Sequence, residues 1–430
     1  MSTKSNHSLA TVVLNKKLAW VLSGTALLLN AQQLASAQTV LLPPPPTPLA
    51  PVVAQDELAN NELNVFLPTG ETRGSSLPSW LRYDPVNLRP HWDYGFQYGN
   101  GMLSSPGNQA KTITQSFSPG LGVELGRHWL LDYTPTLRFY SNKSFHDGVD
   151  HAVNLNGQTR YEDWTLGLTQ TFSQTSDPQV QTATQTDQQT FGTGLSANLL
   201  LNERMSADFG LNQRINSTTG LQNSRDWSTS DWLNYLFWPR LNVGVGATVG
   251  YLDVDTGSNQ TYEGLNARVN WRATDKLGFS VSGGVQDRQF LTGGANDLVS
   301  PIFSASIQYQ PFKHTQIALT GSRSVGPSDY YTASDVSEST TVSASLNQRL
   351  LKEYNLGFSV TYTETKNTVA SQTGAIGQTI DYTSFNATLS RGFLLHGTCS
   401  VTYSYTDTQS STPGYSSRGN QIGFQLGWHY

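Results

Sequence analysis

The chain has 430 residues, of which 13% are charged and 11% are aromatic, and its formal net charge is -5 at pH 7. Length alone would allow two or three soluble domains. The low charge and the aromatic content argue against a disordered chain, and no run of about 18 apolar residues is present for a transmembrane helix. The negative balance offers no basic footprint for phosphate groups, so a nucleic-acid partner is not expected.

The first segment has the pattern of a bacterial export signal. Lysines precede an apolar stretch from Leu18 to Leu29, and the small residues Ala35 and Ala37 form a cleavage box before Gln38. A basic flank, a short apolar core and a small-x-small box in this order are typical of secreted proteins. Residues 1–37 are therefore predicted to be a signal peptide.

Residues 38–90 are predicted to form a Pro-rich periplasmic linker or tail. The run Pro43–Pro46 favours a stiff polyproline II spacer. Isolated prolines such as Pro85 and Pro90 are expected to keep the following stretch irregular. A small folded plug is the alternative for this segment.

From His91 to Tyr430, apolar and polar residues alternate with a period of two, which is the strand pattern and not the helical one. One apolar row is Leu241, Val243, Val245, Ala247, Val249 and Tyr251. The strands of a soluble β-sandwich would alternate as well. The connections between strands therefore have to distinguish a sandwich from a membrane-spanning barrel.

The connections alternate between tight turns and long polar loops. Tight turns are predicted at 126–128, 202–204, 273–275, 311–313 and 352–353, and long loops at 174–188, 291–300, 326–335, 367–378 and 407–417. Short turns at one end and long loops at the other are typical of a transmembrane β-barrel with periplasmic turns and extracellular loops.

The predicted fold is all-β: a single transmembrane antiparallel up-and-down β-barrel over residues 91–430, preceded by the signal peptide and the Pro-rich tail. About 18 strands of about ten residues fit the available length, with 16 strands as the alternative. The barrel must close, because hydrocarbon offers no hydrogen-bond partner to an open strand edge. Tryptophans beside the predicted turns are expected to form a periplasmic aromatic girdle, namely Trp129, Trp238, Trp271 and Trp428.

The last strand carries a predicted assembly signal. Apolar or aromatic residues occupy every second position up to the terminus, at Ile422, Phe424, Leu426, Trp428 and Tyr430. This pattern resembles the strand that outer-membrane proteins present to the barrel-assembly machinery. An ordinary last strand that ends in Tyr by chance is the alternative.

Short motifs are distributed between Val243 and Thr363. They are Tyr262-Glu263-Gly264-Leu265 leading to Trp271, Gly283-Gly284 followed by Arg288, Pro301-Ile302-Phe303, Tyr309-Gln310-Pro311 and Ser322-Arg323-Ser324-Val325. With these motifs the segment resembles an outer-membrane β-barrel porin family. The resemblance implies a channel or an envelope barrel, in some members associated with surface polysaccharide systems, and it brings no catalytic residues.

A barrel of this size is expected to enclose an aqueous channel. The predicted pore-lining charges are Arg138, Arg160, Arg214, Arg268, Arg272, Lys276, Arg288 and Arg349, against Asp93, Glu124, Asp132 and Asp208. Basic side chains in a pore favour anions, so we expect a weak anion preference, with Arg268 and Arg288 nearest the constriction. The alternative is that these arginines pair with inward acids and only brace the wall.

Three functions fit such a barrel. The first is a porin-like channel for passive diffusion of small hydrophilic solutes, which the strand count and the resemblance favour. The second is a dedicated barrel for the export of surface polysaccharide, and the third is a barrel-embedded lipid hydrolase that would use His151. No enzymatic activity, cofactor or metal site is predicted, because the acidic and histidine residues at 146–151 are interpreted as a solvated loop.

The expected location is the outer membrane of a Gram-negative bacterium, with the tail and the C-terminus in the periplasm. The expected partners are outer-membrane lipid and lipopolysaccharide, the barrel-assembly machinery and small hydrophilic solutes. A homo-oligomer is left open, since trimers are common among large porins but no outward patch in the sequence identifies a subunit interface.

Overall fold

The computed structural model describes residues 81–430, with gaps at 84, 127, 180–183, 256–257, 292–296, 328–334, 352, 370–375 and 395. The predicted signal peptide at 1–37 and the stretch 38–80 of the predicted tail lie outside the described residues. Within the described part of the chain, no helix is long and apolar enough to cross a membrane.

Eighteen long antiparallel strands, β2 to β19, make up nearly all of the described chain, and a two-residue strand, β1, precedes them. The bounds are β1 Arg82–Tyr83, β2 Val86–Ser105, β3 Asn108–Leu125, β4 Trp129–Tyr140, β5 Gly148–Tyr161, β6 Trp164–Gln179, β7 Thr184–Asn202, β8 Met205–Thr218, β9 Ser224–Trp238, β10 Leu241–Val254, β11 Gln260–Thr274, β12 Leu277–Phe290, β13 Leu298–Phe312, β14 Thr315–Pro327, β15 Asp335–Leu350, β16 Tyr354–Val369, β17 Ile376–Phe393, β18 Gly397–Ser410 and β19 Ser417–His429.

The sheet closes on itself. Each long strand pairs with its neighbours in the chain, and β19 pairs with β2. In this closing pair Trp428 lies opposite Trp92, and Gln421 lies opposite Gly99. Every long strand therefore has a neighbour on both sides, which is the condition for a β-structure in hydrocarbon. The prediction of an all-β up-and-down barrel with 18 strands is confirmed, and the 16-strand alternative is wrong.

Side chains alternate across the wall of the barrel, as in any strand. Large apolar residues lie on the outside, among them Val245, which is 57% exposed, and Leu265, which is 68% exposed. Most of the buried side chains are polar or charged, and they lie on the inside. An apolar outer face around a polar interior is the arrangement of a membrane-spanning barrel.

The two ends of the barrel differ in their connections. At the short-turn end two or three residues join consecutive strands, as between β7 and β8. At the long-loop end the connections reach seven residues, as between β4 and β5, although only Pro106 and Gly107 join β2 to β3. Because β2 begins and β19 ends at the short-turn end, both ends of the barrel segment lie on the same side.

Two predicted boundaries change. β2 begins at Val86, earlier than the predicted start of the barrel, and includes Pro90, which we expected in an irregular tail. Pro90 precedes the first residue that pairs with β19, and proline is tolerated at such an edge position.

The predicted loop 174–188 is mostly strand, since β6 extends to Gln179 and β7 begins at Thr184. A polar sequence there indicates hydration, not the end of strand pairing.

The predicted aromatic girdle lies at the short-turn end. Trp129 begins β4 and Trp238 ends β9, beside the turns. The ring of Trp271 stacks on Phe279 of the next strand, with 5.4 Å between ring centroids. At the chain terminus the rings of Trp428 and Tyr430 lie 4.2 Å apart.

Candidate functional site

The inner wall of the barrel is the candidate functional site, because it is the surface that a solute inside the barrel would contact. Most described inward charges lie on β2 to β12. The described inward side chains of β13 to β19 are Ser, Thr, Asn, Gln and other uncharged residues, apart from Arg349 and His429. The inward charges are therefore concentrated on β2 to β12, which are eleven of the eighteen long strands.

Arg268 on β11 is held flat against the wall by a buried polar cluster. Its Nη2 pairs with Asp208 on β8, and its Nε donates to Asn234 Oδ1 at 2.9 Å. Its guanidinium lies over the ring of Trp232, 4.4 Å from the centroid. The side chain crosses β10 at Gly244, where a Cβ would lie 3.0 Å from Arg268 Cγ. The charge of Arg268 is thus compensated by an adjacent acid.

Two further glycines of β10 leave room for aromatic rings. A Cβ at Gly246 would lie 2.5 Å from Cδ2 of Trp232, and a Cβ at Gly250 would lie 2.5 Å from Cε1 of Tyr262. Real Cβ atoms do not approach other atoms this closely. The inner face of β10 is therefore a shallow trough in which long side chains from β9 and β11 lie along the wall and do not project into the lumen.

Arg288 on β12 forms a second cluster, nearer the long-loop end. Its Nη1 donates to Gln260 Oε1 at 2.7 Å, and its Nη2 donates to the carbonyl of Val325 at 3.3 Å. The guanidinium lies 4.8 Å from the ring centroid of Tyr262, whose hydroxyl donates to Asp226 at 2.8 Å. Arg288 is only 3% exposed. The hydrogen bonds described for this guanidinium go to neutral oxygens.

Arg138 near the long-loop end of β4 bridges two acids. Its Nη2 lies 2.5 Å from Asp150 on β5, and its Nη1 pairs with Asp177 on β6. The other carboxylate oxygen of Asp150 accepts from the backbone N–H of Ser176 at 3.1 Å. This cluster braces three neighbouring strands.

The stretch 146–151 is only partly the solvated loop that we expected. Asp150 lies inside the barrel wall and is 7% exposed. His151, the next residue, faces outward, with Nδ1 3.0 Å from the hydroxyl of Tyr133, so the wall separates it from Asp150. Asp147 accepts from the backbone N–H of Tyr140 at 2.7 Å. Among the residues with described positions, no group of three or more His, Cys, Asp or Glu is placed to hold a metal ion.

Three predicted inward acids lie near the short-turn end. Asp93 Oδ1 is 3.3 Å from Nε2 of His429, across the closing strand pair. Glu124 is 2.6 Å from Nε of Arg89, a residue that the sequence placed in the tail. The third acid, Asp132, accepts from a neighbouring threonine hydroxyl at 2.8 Å.

The remaining predicted pore residues do not form one constriction. Arg214 lies at an inward position of β8, and its Nε donates to Oδ1 of Asn216 at 3.1 Å. At the short-turn ends of their strands, three arginines are exposed, namely Arg160, Arg272 and Arg349. Lys276 lies in the turn between β11 and β12, and its Nζ donates to the carbonyl of Pro311 at 3.0 Å. It is therefore not part of the strand wall.

The inward charge is more balanced than the sequence indicated. Asp177 and Asp226 face inward but were not among the predicted residues, and Asp150 was assigned to a loop. The period of two would have placed Asp177 inside if β6 had been extended to its true end. For Arg138 and Arg268 the structure matches the alternative in which arginines pair with inward acids.

No family model matches the sequence, and no curated protein matches it. Similar solved structures include OccK2 (OpdF) of Pseudomonas aeruginosa, with 11% identity, a TM-score of 0.46, and coverage of 80% of this chain and 98% of that chain. OccAB3 of Acinetobacter baumannii has 10% identity, a TM-score of 0.43, and coverage of 80% and 99%. OpdL of Pseudomonas aeruginosa has 12% identity, a TM-score of 0.43, and coverage of 81% and 99%. These are similarities of barrel fold, so function has to be argued from the residues of this chain.

Proposed function

We propose that this protein is an outer-membrane channel for the passive diffusion of small hydrophilic solutes. The observation that carries the proposal is the closed wall with two opposite faces: β19 pairs with β2, apolar residues such as Val245 face outward, and polar residues face the lumen. A barrel of 16 to 18 strands leaves an aqueous channel between its inner walls.

The short-turn end, with both ends of the barrel segment, is assigned to the periplasm. Bacterial outer-membrane barrels have short periplasmic turns and longer extracellular loops. The long-loop end would then face lipopolysaccharide, and its outward side chains include the pair of Arg225 and Asp253, 3.0 Å apart. Polar and charged outward residues are expected where a strand leaves the hydrocarbon.

We assign β19 to recognition by the barrel-assembly machinery. Ile422 and Phe424 face outward with 53% and 40% exposure, in the strand that closes the barrel. Leu426 and Trp428 continue the same outward row, and Tyr430 follows the last strand residue.

A weak anion preference is the finer part of the proposal, and the geometry supports Arg288 more than Arg268 as its source. Arg268 is paired with Asp208, so a passing ion meets a nearly neutral group there. The described hydrogen bonds of Arg288 go to neutral oxygens, and the acid of its cluster, Asp226, accepts from Tyr262. Arg288 therefore lacks the direct ion pair that Arg268 has, and less of its charge is compensated by contact.

The test is to refold the chain from Gln38 to Tyr430 and to measure current in a planar bilayer and swelling of liposomes in a sugar solution. We expect stepwise conductance and sugar permeability, and a reversal potential under a salt gradient that indicates anion preference. Arg288→Gln should shift this potential more than Arg268→Gln. A folded barrel without conductance or swelling would overturn the channel, whereas cation selectivity would overturn only the anion preference.

A further inference from the structure

β13 and β14 stop pairing before they reach their long-loop ends. Their register runs up to Phe303 opposite Arg323, and no pair between the two strands is described beyond that point. β13 nevertheless continues to Leu298, paired with β12, and β14 continues to Pro327, paired with β15. The wall of the barrel is therefore split between β13 and β14 toward the long-loop end.

Pro301 explains where the split begins. Continuing the register beyond Phe303 would place Pro301 opposite Val325, and proline has no N–H to donate. The carbonyl of Val325 accepts instead from Nη2 of Arg288 at 3.3 Å. A side chain of β12 thus supplies a hydrogen bond where β13 cannot.

A proline alone does not split this barrel. Pro119 on β3 and Pro135 on β4 interrupt the pairing of their strands, but pairs resume on both sides of them. There the hydroxyls of Ser118 and Thr136 bridge the strands at 2.8 Å. Between β13 and β14 the main-chain pairing does not resume.

The pairings of β5 with β6 and of β19 with β2 also stop before the long-loop end, at His151–Gln174 and at Gln421–Gly99. The β13–β14 split differs from these two in the buried arginine N–H groups that lie beside it without a hydrogen-bond partner in the described structure.

Polar side chains occupy the split, and we call them the β13–β14 latch: Arg288, Ser300, Arg323 and Glu338. Nη2 of Arg323 lies 2.8 Å from one oxygen of Glu338, and the hydroxyl of Ser300 donates to the other oxygen at 3.0 Å. Side chains from β13, β14 and β15 are thereby linked without main-chain pairing between β13 and β14.

The latch leaves hydrogen-bond donors unused. Nε of Arg288 and Nε of Arg323 are buried and have no hydrogen-bond partner in the described structure. Buried donors without an acceptor are rare in proteins and unfavourable. Two buried guanidinium N–H groups beside a split in the wall are suited to donate hydrogen bonds to an oxyanion from outside the protein.

The outer margin of the split is apolar. Val299 is 66% exposed and Phe303 is 46% exposed on the outside of β13. Arg323 lies opposite the outward residue Phe303, whereas Arg288 lies on the inner face, opposite Tyr262. A ligand lying in the split would therefore contact apolar side chains and Arg323 on the membrane side and Arg288 on the lumen side. This combination fits an amphiphile with an anionic headgroup.

Residues from separate sequence motifs lie close together at the split between β13 and β14. Arg288, Pro301 and Arg323 come from three separate motifs of the segment Val243 to Thr363, and Tyr262 from a fourth stacks on Arg288. The channel proposal does not explain why these motifs converge on one split in the wall.

We propose that the split between β13 and β14 is a lateral opening, closed by the latch, through which an amphiphile with an anionic headgroup passes between the surrounding leaflet and the lumen. The anionic headgroup replaces Glu338 as the hydrogen-bond acceptor of Arg323, and it accepts a second hydrogen bond from Nε of Arg288. The apolar part of the molecule passes Val299 and Phe303. This inference rests on the proposal that the chain is an outer-membrane channel.

The test uses single-channel current of the refolded chain as its readout. The probe is an alkyl sulfonate with a long chain, which stays charged and is added to the lipid; methanesulfonate, added to the aqueous phase, is the soluble control. The variant Pro301→Cys/Val325→Cys joins the strands across the split by a disulfide. Ala305→Cys/Gly321→Cys joins directly paired residues of the same two strands and is the matched control.

In the wild-type chain we expect the lipid-borne sulfonate to reduce the current. The oxidised 301/325 variant should resist this block, reduction should restore it, and the 305/321 variant should behave like the wild type. Equal block in both oxidised variants would overturn the lateral opening while leaving the channel intact. Absence of current in the wild type would instead overturn the channel proposal itself.

Arg323→Gln provides a test without cysteines. Loss of one charge-assisted hydrogen bond should weaken the block by the long-chain sulfonate about tenfold and leave the effect of methanesulfonate unchanged. Arg418→Gln is the control, because Arg418 pairs with Asp407 at 2.8 Å across fully paired strands. Heat-modifiable mobility in a gel verifies that each variant is folded, and equal block in both folded variants would contradict the proposal.

Discussion

Arg268 pairs with Asp208 across the inside of the barrel, although two strands, β9 and β10, separate the strands that carry them. The arginine spans this distance by lying over Gly244, where no side chain is in its way. Asn234, between the two, donates to the acid and accepts from the base. An arginine at an inward position of this barrel can therefore be neutralised by an acid, so that its charge does not act on a solute in the lumen.

Asp208→Asn should expose that charge. With the acid neutralised, Arg268 keeps its positive charge, and the reversal potential under a salt gradient should shift toward stronger anion preference. Breaking a buried pair also destabilises a protein by about 3 kcal/mol, to be measured from urea unfolding. Asp407→Asn is the control, since it removes the acid of an outward pair and should change neither quantity noticeably. An unchanged reversal potential in Asp208→Asn would show that Arg268 is not felt in the lumen.

Gly250→Val should narrow the channel. A Cβ at this position would lie 2.5 Å from Cε1 of Tyr262, so the phenol ring has to move off the wall and into the lumen. Single-channel conductance is expected to fall. Gly264→Ala is the control because its Cβ would meet its nearest atom at 3.4 Å, an ordinary contact. If both variants conduct like the wild type, the trough in β10 has no effect on the width of the channel.

Asp231→Leu should stabilise the barrel in lipid. Asp231 lies on the outside of β9, opposite the outward residues Phe209 and Ala247, and a charge on the lipid-facing side is unfavourable. Its removal is expected to raise the free energy of unfolding in liposomes by about 1 kcal/mol. Asp287→Leu, nearer the long-loop end of β12, should have a smaller effect. A loss of stability in Asp231→Leu would indicate that this carboxylate has a partner in the membrane.

Deleting Tyr430 or changing Phe424 to Asp should impair assembly in the outer membrane. Phe424 is an outward residue of the closing strand, and the ring of Tyr430 lies 4.8 Å from His396. Gln425→Asn, at the neighbouring inward position, is the control. The measurement is the amount of heat-modifiable barrel in outer-membrane fractions, and normal amounts for both altered chains would contradict the assembly signal.

The fold could be predicted because its main signal is local. Outward rows such as Leu241 to Tyr251 follow from the alternation of successive side chains, and a tight turn such as 202–204 lies within the sequence that forms it. The errors arose at strand ends: β2 starts before Pro90 and β6 continues through polar residues to Gln179. There hydration replaces lipid, so the apolar pattern fades while the main-chain pairing continues.

The sequence by itself determined that this chain is an up-and-down barrel of 16 or 18 strands, which rows of side chains face outward, and that arginines line the inside. Only the tertiary structure decided which of these arginines are neutralised and where the wall is split. The reason is that Arg268 and Asp208 are 60 positions apart, and Arg288 reaches Val325 across an intervening strand. Alternation fixes the face on which a side chain lies, but its partner depends on the register between strands. For Arg268 it also depends on the space above Gly244, and for Arg288 on the missing N–H of Pro301.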